Sequence, residues 1–332
     1  MPGQLRVTVT ASNAVGSTTA ESSATDLVAA APLTDPAPPP VTSIGPRTPY
    51  AASSPWNSPI GSPELDPNSA AIVAALAAGR TLTGDPTQYT YPVYEVPTGT
   101  PTLPVKLSGV FSSALSDTLV TRLSAPTVYV PIPPDAQAAA GTDGQVIMIN
   151  WATGEEWAFW QLKRDLSGNF AATNGYHYTG LNTGAGAFHG TTFGSRGAGI
   201  TYLGGLVRPW EVAQGRIDHA LAFAYSYPSS RWVYPASKSD GKGLDLAAIP
   251  EGTRLQLDPS FDVNTLSSPV ARIVARALQT YGMYAIDNSG STKVMFEYEG
   301  TANWGGLVSR STVSEIPLSR FRVLAPMSPP SG

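Results

Sequence analysis

Cysteine is absent from all 332 residues, which removes disulfides, thiolate zinc sites, iron–sulfur clusters and a cysteine nucleophile together. What remains is oxygen and imidazole chemistry, and imidazole is scarce, with only three histidines: His177, His189 and His219. No run of about 18 apolar residues occurs, so no membrane-spanning helix is expected. Charge is also sparse, at 13% of residues with a net charge of −4. No cluster of lysine and arginine supplies the basic field that a polyanion needs, so nucleic acid is not an expected partner. The opening MPGQLRVTV lacks the basic and apolar parts of a signal peptide. It reads as a strand entered partway, and a fragment with an added start methionine is expected.

Glycine and proline are abundant, at 32 and 31 residues, which favours many short strands and turns over long helices. Leu5, Val7 and Val9 alternate with Arg6, Thr8 and Thr10 before a turn at Asn13 to Gly16, the pattern of two strands joined in a hairpin. The stretch 32–52 is a proline-rich linker, stiffened because proline fixes φ. A functional domain is expected over 53–326 and a disordered tail over 327–332. Within the domain, segments such as TVYVPIP, QVIMINW, EWAFWQLKRD, ITYLGGLV, IDHALAFAYSY, TRLQLDP, MYAIDN and FRVLAP succeed one another between turn residues. They predict a mostly-β fold, a jelly-roll-like sandwich with one or two short covering helices. One helix should start at Asp66–Pro67, stop at Gly79 and bury Ile72, Val73 and Leu76. The other should be capped by Ser268, started by Pro269 and ended by Gly282.

The densest chemical signal is GGLVRPWEVAQGRIDHAL, 204–221. Pro209 can start and Gly215 can stop a helical turn carrying Glu211. Ile217, His219, Leu221 and Phe223 then share one strand face, with Asp218, Ala220, Ala222 and Ala224 on the other. A histidine among apolar neighbours is a general base, a metal ligand or a core side chain held by hydrogen bonds. In EWAFWQL, Trp157 and Gln161 fall on one side and Trp160 on the other; an aromatic floor flanked by polar groups suits the apolar C–H face of a sugar ring. The glycine-rich stretch 174–205 brings Tyr176, His177 and His189 close to any ligand it borders. Arg208 is available to neutralise a carboxylate. Glycan hydrolysis needs two carboxyl groups, and Glu156, Glu211, Asp218, Asp240 and Asp287 are the supply; a uronate lyase needs a base and a cation or amide.

The segment VTVTASNAVGST resembles the last hairpin of bacterial immunoglobulin-like and fibronectin-type repeats, so 1–31 reads as a repeat remnant. Taken in order, VYVPIPPDAQAAAGTDGQ, GGLVRPWEVAQGRIDHALAF, YPASKSDG, AIPEGTRLQLDP and ARALQTYGMYAIDN resemble a family of exported bacterial proteins that follow such repeats. The resemblance implies export and a single β-rich domain, and attaches no activity, cofactor or catalytic residue.

The leading expectation is therefore an extracellular or cell-surface enzyme that cleaves a polysaccharide, by lysis or hydrolysis. Glu211 and His219 are its acid–base pair and Asp240 is a further catalytic candidate. Trp157, Trp160, Gln161, Tyr176, His177, His189 and Arg208 are the sugar contacts. On this reading no cofactor or metal is needed, and a monomer is expected. A non-catalytic glycan-binding or adhesion module is the alternative, and an enzyme that gathers a metal on the three histidines is a third.

Overall fold

The computed structural model describes residues 6–24, 47–108, 127–188 and 194–329. The expected strand DTLVTRLS and His189 lie outside them. The chain divides into two units, 1–42 and 43–332. In the first, Thr8–Asn13 and Gly16–Glu21 pair antiparallel, and the Asn13 side chain accepts hydrogen bonds from the backbone of Val15 and Gly16 across the turn. Every residue of both strands is exposed, and two strands by themselves enclose no core.

The second unit is mostly strand with a few short helices, as its glycine and proline content predicts. Three sheets are stacked in layers. The first has six strands, with Leu221–Tyr225 between Met283–Asn288 and Lys293–Val294. Leu221, Phe223 and Tyr225 belong to one apolar cluster with Ile273, Val274 and Leu278 of the helix Pro269–Thr280. Ala220, Ala222 and Ala224 belong to a second, with Ile147, Ile149, Ala158 and Tyr176 of a four-stranded sheet. The other side of that sheet, Val146, Met148, Trp157 and Phe159, packs with Val105, Leu107, Val130 and Phe170 of a third sheet. The strand starts at Leu221, later than the alternation from Ile217 predicts, because 216–220 is loop with the Asp218 side chain 46% exposed. From there on the alternation separates two buried faces, the large one meeting a helix and the alanine one letting an aromatic-rich sheet come close.

The strand order is mixed rather than antiparallel throughout. Leu221–Tyr225 runs parallel to Met283–Asn288, Val93–Glu95 to Val146–Asn150, and Phe170–Ala172 to Thr102–Leu107. ITYLGGLV is buried loop, and the start of the glycine-rich stretch, Asn174–Tyr178, is a strand paired with Glu155–Trp160.

Helix ends follow the residues. Ser268 accepts a hydrogen bond from Ala271 N at 3.2 Å, Pro269 is the first helical residue, and Gly282 takes φ +70° after the stop. The earlier helix, Ser69–Ala77, begins two residues later than Asp66–Pro67 predicts, because the Asp66 side chain accepts from Asn68 N and closes a turn first. Met327, at the edge of the expected tail, lies against the Tyr284 hydroxyl.

Candidate functional site

Pro209–Ala213 forms the expected helical turn, and Gly215 ends it with φ +81°. Glu211 Oε2 accepts from Arg208 N at 2.7 Å, while Oε1 lies 2.8 Å from His219 Nε2. The other ring nitrogen, Nδ1, donates to the carbonyl of Ala220 at 2.8 Å. His219 is 6% exposed and Glu211 1%, and the gap beside them holds no more than about 10 Å³. The sequence is right that the two meet, and the structure makes them a closed pair with every imidazole nitrogen in use.

Burial pulls the His219 pKa down, but the Glu211 charge and hydrogen bond, with the Ala220 carbonyl, outweigh it and hold the pKa above the ordinary value. The stability from this raised pKa is fully present below about pH 6.5 and is lost as pH rises through the folded value. Denaturant unfolding followed from pH 5 to 9 is expected to show that loss, and His219→Gln is expected to reduce its slope. A His219→Gln slope equal to that of wild type would remove the ion pair.

The other predicted residues are scattered. Trp157 is buried and stacks on the His177 ring at 4.9 Å, while His177 Nε2 meets Glu155 at 2.9 Å. Trp160 and Gln161 are half-buried, with Gln161 bonded to Thr173. Tyr176 is fully buried and donates to Glu156. Arg208 is ion-paired with buried Glu297. His177 and His219 have different carboxylate partners, and among the described residues neither joins a group of ligands placed to share a metal.

A different centre emerges from how the buried carboxylates are satisfied. Glu156 receives hydrogen bonds from the Tyr50 and Tyr176 hydroxyls and from Leu203 N; Glu211 has His219 and Arg208 N; Glu297 has Arg208 and Thr301. Glu251, 0% exposed, has no donor on either oxygen, alone among buried carboxylates of the described residues. Its neighbours Asp240 and Asp287 are themselves carboxyl groups, whose charges add to its burden rather than satisfy it. Leaving such a group in the interior costs several kcal/mol unless it is neutralised.

Asp240, Glu251 and Asp287 each present an oxygen within 4.8 Å of the other two. These oxygens converge over Gly197, where a Cβ would stand 2.8 Å from all three, so a side chain here would displace the carboxyl groups. Lys238 Nζ donates to the carbonyls of Arg196 and Gly197 at 2.6 and 2.9 Å. Arg196, fully buried, donates to Tyr91, Gly204 and Tyr202. Together they fix the glycine against the acids. Burial first, then the charges of Asp287 and Asp240, push the Glu251 carboxyl up to about 10. Burial and Asp240 push Asp287 up to about 7, against Lys238 and Arg196.

Local structure aims these groups. Asp287 is the penultimate residue of the strand Met283–Asn288, just after a register shift against Leu221–Tyr225, and a bulge there re-aims the side chains that follow it. Glu251 ends Ile249–Glu251 and is registered with Trp232 of the neighbouring strand, whose side chain is 51% exposed. Asp240 is exposed and Asp287 half-buried, so the cluster reaches the surface on one side. On another side, Asp287 lines a cavity of about 450 Å³ together with Tyr89, Asp143, Gln145, Lys293 and Arg310. Gln145 Nε2 donates to Asp143 at 3.2 Å, but its buried Oε1 has no partner. Tyr89 holds φ +51° at the cavity, its carbonyl bonded by Lys293 Nζ, a backbone strain of the kind found at ligand clamps.

Sequence reasoning had Asp240 as a candidate and Asp287 in its carboxylate supply. It missed Glu251, Asp143 and Trp232, which read locally as turn and strand-end residues. The only local signal was an acid flanked by turn formers in IPEG. No protein-family model, curated protein or solved structure matches this chain.

Proposed function

We propose that the second unit is a secreted, carbohydrate-active enzyme that hydrolyses an extracellular polysaccharide in the cavity beside Asp287. The observation that carries this reading is the cavity itself. It is large enough for a sugar residue, lined mostly by polar residues with Ala224 and Met295 among them, and borders three carboxyl groups: Asp85, which is paired with Arg310, and Asp143 and Asp287. Hydrolysis of a glycosidic bond needs two such groups, one to protonate the leaving oxygen and one to act as base or nucleophile. The unpartnered Gln145 oxygen calls for a hydroxyl donor, which every sugar ring offers. Tyr89 and the exposed Trp232 are aromatic surfaces at the cavity and beside the cluster. Secretion is supported by the low-charge, glycine-rich composition and the hairpin ahead of the proline-rich linker. Among the described residues no helix is long and apolar enough to cross a membrane.

Incubation with a panel of neutral and acidic polysaccharides, read as new reducing ends, is expected to give product from at least one. Binding on a glycan array with no product from any member after long incubation would replace the enzyme with an adhesion module.

A further inference from the structure

We infer that Asp240, Glu251 and Asp287 form a binding site for a hard divalent cation, of which Ca²⁺ is the best fit. The set is three carboxylates, the ligand type such ions take. Two ligands on opposite sides of a Ca²⁺ ion lie roughly 4.6–5.2 Å apart, twice its bond length, and all three oxygens here fall within 4.8 Å of one another.

Acidic residues close together are common, and the second observation is what sets this group apart. Glu251 is completely buried, aims into the cluster, and has neither oxygen bonded, while three equally enclosed glutamates elsewhere are supplied with donors. The fold provides a Tyr, His or Arg partner wherever a glutamate is only structural. At Glu251 it leaves the place open, and clears it further by setting Gly197 where any Cβ would collide with the three oxygens. Exposed Asp240 offers the ion a way in from solvent. The cationic groups nearby, Lys238 and Arg196, are engaged with backbone carbonyls and the Tyr91 hydroxyl. They hold the loop around Gly197 in place and temper the repulsion among the acids.

A metal here was not legible beforehand, since these residues lie in three separate segments and carry no ligand-spacing motif. The ion site stands whether or not the cavity is catalytic. If it is, the inference deepens that reading: the ion would fix the position of Asp287, which lines the cavity.

The test uses the whole chain, freed of metal with a chelator and then titrated with CaCl₂ and, separately, MgCl₂, with melting temperature and calorimetric heat as readouts. Saturable binding with Kd between micromolar and millimolar is expected, with a rise in Tm of several degrees. Glu251→Gln and Asp240→Asn should weaken binding at least about tenfold, whereas Glu95→Gln, an exposed carboxylate elsewhere, should leave it unchanged. Folded wild type that shows no heat and no Tm shift with either ion up to about 10 mM, beyond the weakest extracellular calcium modules, would overturn the inference. So would a Glu251→Gln variant that responds like wild type. Should both cluster variants fail to fold, ⁴³Ca or Mn²⁺ resonance on wild type decides, through carboxylate ligation or its absence. None of these readouts needs substrate: cation binding without cleavage sinks only the proposed function, and cleavage by a protein that binds no ion sinks only the site.

Discussion

Asp287→Asn is expected to lower the rate of polysaccharide cleavage by about 10²- to 10⁴-fold, the range usual for loss of a group that handles a proton or bonds in the transition state. The substitution is nearly isosteric and removes a charge that burial and Asp240 already disfavour, so the fold should survive it. Activity measured on the substrate identified from the panel, alongside melting temperature, separates the two effects. The Asp143→Asn variant should fall in the same range, because the proposal assigns the second carboxyl to it. A folded Asp287→Asn protein with rates within a few fold of wild type would end the hydrolytic reading of the cavity.

His219→Ala should act quite differently. Removing the ring leaves Glu211 1% exposed with Oε1 unpaired, and breaking a buried pair from one side costs about 3–5 kcal/mol. For a unit of this size that corresponds to a fall in Tm of order 10 °C. The segment it loosens joins the turn Pro209–Ala213 to the central strand Leu221–Tyr225, so any loss of activity should follow the loss of folded protein. The opposite outcome, abolished activity with an unchanged Tm, would restore the acid–base role that the sequence suggests for this pair.

The contrast between these two variants shows where sequence reasoning reached and where it stopped. The encounter of Glu211 with His219 was legible because both lie within nine residues, in a segment whose proline, glycine and alternation set the path. The mostly-β character was legible for similar reasons, as were the cap at Ser268 and the buried stripe Ile72, Val73 and Leu76. Whether the histidine meets solvent was not legible, since its burial comes from parts of the chain outside its own segment, while Asp218 beside it stays 46% exposed. Strand order was hidden too: Leu221–Tyr225 pairs in parallel with a strand some sixty residues away, and nothing in its own pattern names that partner.

The carboxylate cluster lies further still from local reading. Asp240 follows a Ser-rich turn, Glu251 sits between Pro250 and Gly252, and Asp287 is the penultimate residue of a strand. Each looks like an ordinary surface acid by itself. Only when the chain folds does Glu251 lose water without gaining a donor, and only then does Gly197 come to stand beneath three oxygens.

By itself, then, the sequence determined the class of structure and the chemistry left to it: short strands from glycine, proline and alternating residues, and oxygen or imidazole groups because thiols are absent. These are properties of composition and of neighbours a few residues apart, which the backbone turns directly into local geometry. The tertiary structure alone decided which titratable groups are satisfied and which are not. That depends on burial and on partners far away in the chain, and a carboxylate's environment does not exist until those partners have met.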